Sequence, residues 1–489
     1  MNDKRIKYIG LFFLSALLLS SCSKEDLVDR GMTDNDSEIL FFTSMPGIET
    51  RSAADIDKNS IKNGFDVSAA RLDSIIGKDT IPIEHFSAQR VFQTAGMGEA
   101  FRSDGCKWPS SKGKNAGKLR FYAFYPSRET LRDSAGVGRN DENYFKLEYA
   151  KTNGKTQYWM KRFKVNEDIL SHSDFVTATV EGSKTDNLYS GVNLALQHQL
   201  SKLTLEAFGS SDSYDVEIAG VRIGGIALES DFNFEDKPLR VFNYTMTRVG
   251  KWTNINKTGC VEYIFHEKDT VITINKENTP DKSHTKSIMG HGGPALVIPH
   301  DYTVWKYGDN KTYQAQGSPL YFSVLLRVKE KLTPNHTLLY PYIEGASLNS
   351  SVTVTADNMK IVYLSVERTS GKVMKRVYMK DKKFYTSPDY SEGSLYTVPA
   401  EEEVRNYGWA SCIPNTNGDP QMRWNPGFQY YYQLDYSKGI GVQDPADALP
   451  GKVIIYPIEV TASPATTWHT VKDYNNVEIK DGDVGFTIE

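Results

Sequence analysis

Short runs in which apolar and polar residues alternate with a period of two, each closed by Gly, Pro, Asn or Asp, recur along most of the chain. That period predicts strands laid against a core. The first is Glu38 to Ser44 (EILFFTS), which leads through the turn signal Pro46-Gly47 into a polar link, Glu49-Thr50-Arg51-Ser52. Leu119 to Pro126 (LRFYAFYP) places Leu119, Phe121, Ala123 and Tyr125 on one face and Tyr122 and Phe124 on the other, so it predicts a strand covered on both sides. Val192, Leu194, Leu196, His198 and Leu200 share one parity, whereas Leu203, Leu205 and Ala207 take the other, which predicts a bulge or tight turn near Ser201-Lys202. Phe322, Val324, Leu326 and Val328, and again Tyr430, Tyr432, Leu434 and Tyr436, alternate with polar residues and read as half-buried antiparallel strands. Val352 to Thr355, Ile361 to Val366 and Val453 to Val460 add further strands. No window of a dozen residues after the N-terminal apolar run carries a helical period, so the pattern argues for β-sandwiches rather than βαβ units.

Composition agrees with that reading. Aromatic residues make up 12% of the 489 residues, led by 28 Tyr and 22 Phe, and such residues favour strands. The length accommodates two or three cores. With 39% hydrophobic and 24% charged residues the chain is neither polytopic nor wholly disordered. Lys and Arg (57) nearly balance Asp and Glu (61), so no basic face for nucleic acid is implied.

The N-terminus sets the compartment. Lys4, Arg5 and Lys7 precede an apolar run from Tyr8 to Leu19, too short to span a bilayer and of the length of a signal peptide core. It ends in Leu19-Ser20-Ser21-Cys22, which resembles the bacterial lipobox, and this predicts cleavage between Ser21 and Cys22 and lipidation of Cys22. Loss of the leader moves the formal charge from -4 to -6, because it carries three positive groups and one negative. Two or three acyl chains on one cysteine suffice for stable anchoring. The following Lys24-Glu25-Asp26 resembles the signal that sends lipoproteins of the Bacteroidetes to the outer face of the outer membrane. Residues 23–37 are polar and aperiodic and read as a tether.

Candidate chemistry is sparse. Cys106, Cys260 and Cys412 have neither zinc nor disulfide-scaffold spacing and read as small buried hydrophobes. No metal site or cofactor is expected. There is no nucleophile elbow, no HExxH and no P-loop, since Gly182-Ser183-Lys184-Thr185 lacks the Gly-Lys pair. Gly290-His291-Gly292-Gly293 reads as a flexible turn, His198 as a hydrogen-bonded core residue, and Lys380 to Lys383 and Glu401-Glu402-Glu403 as solvated turns. No enzyme is expected. Asp73-Ser74-Ile75, Asp79-Thr80-Ile81 and Asp269-Thr270-Val271 resemble a short O-glycosylation signal of the same phylum.

Several strands taken in order resemble one family. LRFYAFYP at 119–126, DFVTA from Asp174 to Ala178, LALQHQLSKLTLEA at 194–207, ALVIPH at 295–300 and WNPGFQYYYQLDY at 424–436, with Trp468 near the last strand pair, are similar to the Bacteroidetes fimbrillin (Mfa-like) family. His300 stands where that family usually has Gln, and Gly439 to Pro450 looks like an insertion. The resemblance implies an all-β protein of two transthyretin-like antiparallel β-sandwich domains in tandem. Its organisation would be a leader over 1–21, a lipidated segment with a removable first strand over 22–51, and sandwiches over 52–235 and 236–489. It also implies a surface fimbria with other fimbrial subunits as partners. An arginine-specific protease would remove the first strand at Arg51, and a strand of the next subunit would fill the groove. As a bare residue, Arg51 is equally a solvated charge in a link. The alternative is a monomeric surface lipoprotein binding glycan or a host ligand through exposed Trp252, Trp305 or Trp424.

Overall fold

Alternation of β-branched and aromatic residues with polar ones produces strands almost throughout, as the pattern predicts. The computed structural model describes residues 38–44 and 61–467, with internal gaps of which 94–99, 110–116, 135–145, 306–318, 332–337, 341–359, 397–403, 413–421 and 445–458 are the longest. Ser21, Cys22, Lys24, Glu25, Asp26, Arg51, Trp468, Val352 to Thr355 and Glu401-Glu402-Glu403 lie outside the described residues.

An eight-stranded sheet runs in the order Val192–Ala195, Phe41–Ser44, Phe101–Arg102, Ile83–Gln93, Phe65–Arg71, Leu119–Tyr125, Val176–Gly182, Gln197–His198. One face encloses a core of Phe65, Val67, Leu119, Phe121, Ala123 and Val176, among others. Ala70, Tyr122 and Phe124 on the opposite face pack on Tyr158, Met160, Phe232, Phe234 and Trp252 of a four-stranded sheet. Tyr122 stacks on Tyr158 with ring centroids 4.4 Å apart. The doubly apolar strand is thus covered on both sides, as its sequence requires.

Most of the remaining described strands build a six-stranded and an eleven-stranded sheet, and three two-stranded pairs complete the set. Leu203, Leu205, Tyr432 and Leu434 of the former meet Val216, Ile218, Val221, Ile223, Phe322, Val324 and Leu326 of the latter in a continuous core. The strand from Phe428 alternates between buried and half-buried positions as expected. Tyr321–Glu330 departs from expectation. It pairs with Tyr214–Ile226 on one side and Val404–Cys412 on the other, and Tyr321 through Val328 are all buried, Arg327 included. A central strand is covered on both faces whatever its polar positions suggest.

Two further differences concern connectivity. The parity change at Ser201 is no bulge within one strand: the chain leaves the first sheet after His198 and joins the six-stranded sheet at Ser201, bending so that both parities face a core. Among the described residues the sheets are antiparallel apart from two parallel ladders, Phe41–Ser44 on Val192–Ala195 and Lys202 to Phe208 on Gln429 to Asp435. Ser201–Phe208 and Tyr214–Ile226 share sheets with strands beyond residue 236, while Lys251–Asn256 pairs back onto Glu229–Phe234. Among the described residues helix is confined to short pieces. Lys184–Asn187 is capped by Ser183, whose side chain accepts from the Asp186 N–H, so the Gly-Ser-Lys-Thr string is a helix start.

Candidate assembly site

The segment Glu38-Ile39-Leu40-Phe41-Phe42-Thr43-Ser44 combines an acid with apolar residues at alternate positions, which a strand sends to one face. It lies in a slot between two parts of its sheet. On one side it runs parallel to Val192–Ala195, where the Val192 N–H donates to the Leu40 carbonyl (2.8 Å) and the Leu196 N–H to the Ser44 carbonyl (2.9 Å). On the other, Phe41 faces Phe101 in an antiparallel pair, Glu38 bridges Lys107, and the Ile39 N–H donates to the Cys106 carbonyl (2.9 Å). Backbone bonds therefore hold the strand along both edges.

Ile39 and Phe41 are 0% exposed, whereas Leu40 and Phe42 are half-buried and Ser44 is exposed. The Phe41 ring meets Phe121 edge-on, with centroids 5.4 Å apart. Trp108 approaches Phe121 in the same way at 5.8 Å. Burying two such side chains contributes about 3–6 kcal/mol to holding the strand. Gly191 allows close approach from the edge strand: it adopts φ +67°, and a Cβ there would lie 2.5 Å from the Phe42 ring. Cys106 is buried beneath the strand, and burial, with the nearby Glu38 charge, pushes its thiol up to about 12.

At the mouth of the slot the Arg102 guanidinium lies 3.5 Å from the Glu38 carboxylate, and the bridged Lys107 places a second cation on the same side. Neither cation was legible as functional in the sequence. The Phe101–Arg102 strand has two residues, and its neighbour along the chain says nothing of a segment some sixty positions upstream.

The other candidates resolve into structural roles. His198 is buried and its Nδ1 bonds Asp174, which is 0% exposed, in keeping with a core histidine. Cys106, Cys260 and Cys412 are free thiols, two of them buried and Cys260 half-buried. Trp252, Trp305 and Trp424 are not exposed: they are 7%, 6% and 1% accessible, which corrects the expectation of a binding surface built on them. Trp252 Nε1–H donates to the Gln199 carbonyl (2.8 Å) and Trp424 Nε1–H to the Tyr432 hydroxyl (2.9 Å), so their polar ends are used inside. His300, at the position of departure, donates from Nδ1 to the Ile298 carbonyl (2.7 Å) against Trp424, and burial lowers it to about 4.

Gly290 to Gly293 is a pinned turn rather than a flexible one. The buried Asp269 carboxylate accepts from the Tyr263 hydroxyl (2.5 Å), the His266 N–H (2.8 Å) and the His291 N–H (2.7 Å), and a Cβ on Gly292 would lie 2.6 Å from the Tyr263 ring. Thr270 beside it is exposed; Asp73, Ser74 and Ile81 lie outside the described residues. Lys380 pairs with Lys383 across a hairpin, as a charged turn should. A polar depression of about 390 Å³ is lined by Glu229, Ser230, Asp231, Asn254 and Asn256. Its central carboxylate, Asp231, already accepts from the Arg162 N–H, Asn254 and Lys161. Among the described residues no group of His, Cys, Asp or Glu is arranged to hold a metal ion.

Residues 75–334, just over half of the chain, match the model of the fimbrillin-like family. No curated protein matches the sequence. Among solved structures, the chain is similar to a candidate cell adhesion protein from Bacteroides uniformis, at 12% identity with 89% of this chain and 100% of the other covered and a TM-score of 0.30. A candidate cell adhesion protein from Parabacteroides distasonis gives 10% identity, 89% and 98% coverage and a TM-score of 0.35. The C-terminally truncated tip fimbrial protein Mfa3 from Porphyromonas gingivalis gives 12% identity, 88% and 100% coverage and a TM-score of 0.25. The family match over residues 75–334 carries the assignment.

Proposed function

Because this chain belongs to the fimbrillin-like family, and so to the fimbrial subunits and adhesins of the cell surface, we propose that it assembles by donor-strand addition after arginine-specific cleavage. A cut after Arg51 would remove residues 22–51, and with them both the lipidated Cys22 and the strand Phe41–Ser44. Opening the groove and leaving the membrane are then one event. The observation that supports this is the complete burial of Ile39 and Phe41 in a strand bonded along both edges. Its departure would expose a hydrophobic slot with unpaired backbone groups, a template that a strand of another subunit satisfies. The role is structural rather than catalytic. Before cleavage, Cys22 with its acyl chains would hold the precursor at the outer membrane, displayed outward by Lys24-Glu25-Asp26. The alternative of a monomeric ligand-binding lipoprotein loses the tryptophans it relied on.

The test is digestion of the purified chain with an arginine-specific protease, N-terminal sequencing of the product, and electron microscopy before and after. A new terminus at Ser52 with SDS-resistant ladders or filaments supports the reading. A product that starts at Ser52 and stays monomeric, or a chain uncut at Arg51, overturns it. Cys22→Ala should move the precursor from the membrane to the soluble fraction.

A further inference from the structure

Resting on the reading above, we infer that Arg102 and Lys107 select the incoming strand by its charge. The occupant they fit carries an acidic residue one position before a β-branched or aliphatic residue and three before an aromatic. The resident strand supplies the template. Ile39 and Phe41 point inward and are fully buried, which sets two apolar pockets two positions apart. Glu38 immediately precedes them, 3.5 Å from Arg102 and directly opposite Lys107. The two pockets alone tolerate many apolar strands and also tolerate slippage by two residues, which keeps the same face inward. A carboxylate held by Arg102, with Lys107 paired opposite it on the neighbouring backbone, removes that ambiguity at one end of the slot, because a slipped or basic strand would set an apolar or positive group there.

An acid followed by Val, Ile or Leu, any residue and then an aromatic occurs twice in the 489 residues, at Glu38–Phe41 and at Asp483–Phe486. Peptides of residues 38–44 and 483–489 are therefore suitable probes for the chain cut after Arg51. In fluorescence anisotropy at low salt both should bind. Glu38→Lys in the first peptide should weaken binding about tenfold, with the difference shrinking in high salt. The double variant Arg102→Glu with Lys107→Glu should reverse the preference. Equal binding of the acidic and lysine peptides would overturn the selection while leaving strand addition intact. If the cut chain binds no peptide, strand addition itself fails, and the uncut chain then decides the role of the cations. Hydrogen exchange of the Glu38–Ser44 segment should speed several-fold in Glu38→Lys and return toward the original rate when Arg102→Glu and Lys107→Glu are added. Unchanged exchange in all variants would overturn the inference.

Discussion

Phe41→Ala probes the first strand most directly. The ring is 0% exposed and packs edge-on against Phe121 at 5.4 Å. Truncation forfeits about 2–3 kcal/mol of transfer free energy and roughly 1 kcal/mol of aromatic contact. With the cavity left behind, the total is about 3–5 kcal/mol. Because the strand lies at the start of the described chain and is bonded to an edge strand, we expect that loss in local opening rather than in the global transition. Cys106 reports it. Its thiol is inert while the strand is seated, since burial holds it protonated up to about pH 12. Each tenfold change corresponds to about 1.4 kcal/mol, so labelling of Cys106, read by mass spectrometry, should accelerate roughly a hundred- to several-thousandfold. The urea midpoint of the whole chain should move little. Leu40→Ala, half-buried on the opposite face, should change the rate less than about tenfold. If Phe41→Ala labels Cys106 at the original rate while lowering the global midpoint by the full amount, the strand does not open as a separate unit.

Three further outcomes follow from buried polar groups. His172 accepts from the Leu296 N–H and donates to the Asn166 carbonyl, and burial lowers both it and His300 to about 4. The unfolded chain therefore binds more protons between about pH 6.5 and pH 4, and stability should fall across that window by up to about 3 kcal/mol per histidine; His172→Gln should flatten the slope of urea midpoints against pH. Asp269→Ala strands the Tyr263 hydroxyl and the His266 and His291 amides, and should cost about 2–4 kcal/mol, seen as a lower thermal transition. Asp174→Ala leaves His198 buried without its carboxylate; a loss of about 3–5 kcal/mol is expected, with Asp174→Asn costing less, as chemical denaturation would measure.

Alternation along single strands was enough to establish an all-β chain, the strand from Leu119 covered on both faces, the burial parity of Val192 to Leu200 and the half-buried tyrosine strand from Phe428. These are local properties, because a strand's period of two depends only on backbone geometry. The first strand was legible too, as an apolar run before a turn signal. What it binds was not: its partners, Val192–Ala195 and Phe101 with Cys106, lie about 150 and 60 positions away along the chain, and register between distant strands leaves no local mark. Solvent exposure was equally a tertiary decision. Trp252, Trp305 and Trp424 each have a charged neighbour in sequence (Lys251, Lys306 and Arg423) yet are buried, and the central position of Tyr321–Glu330 buries Arg327, which its own alternation would set in water. The glycine-rich turn is rigid because Asp269, twenty-two positions before His291, folds beneath it. Pairing and covering are set by which surfaces meet, and only the folded chain brings those surfaces together.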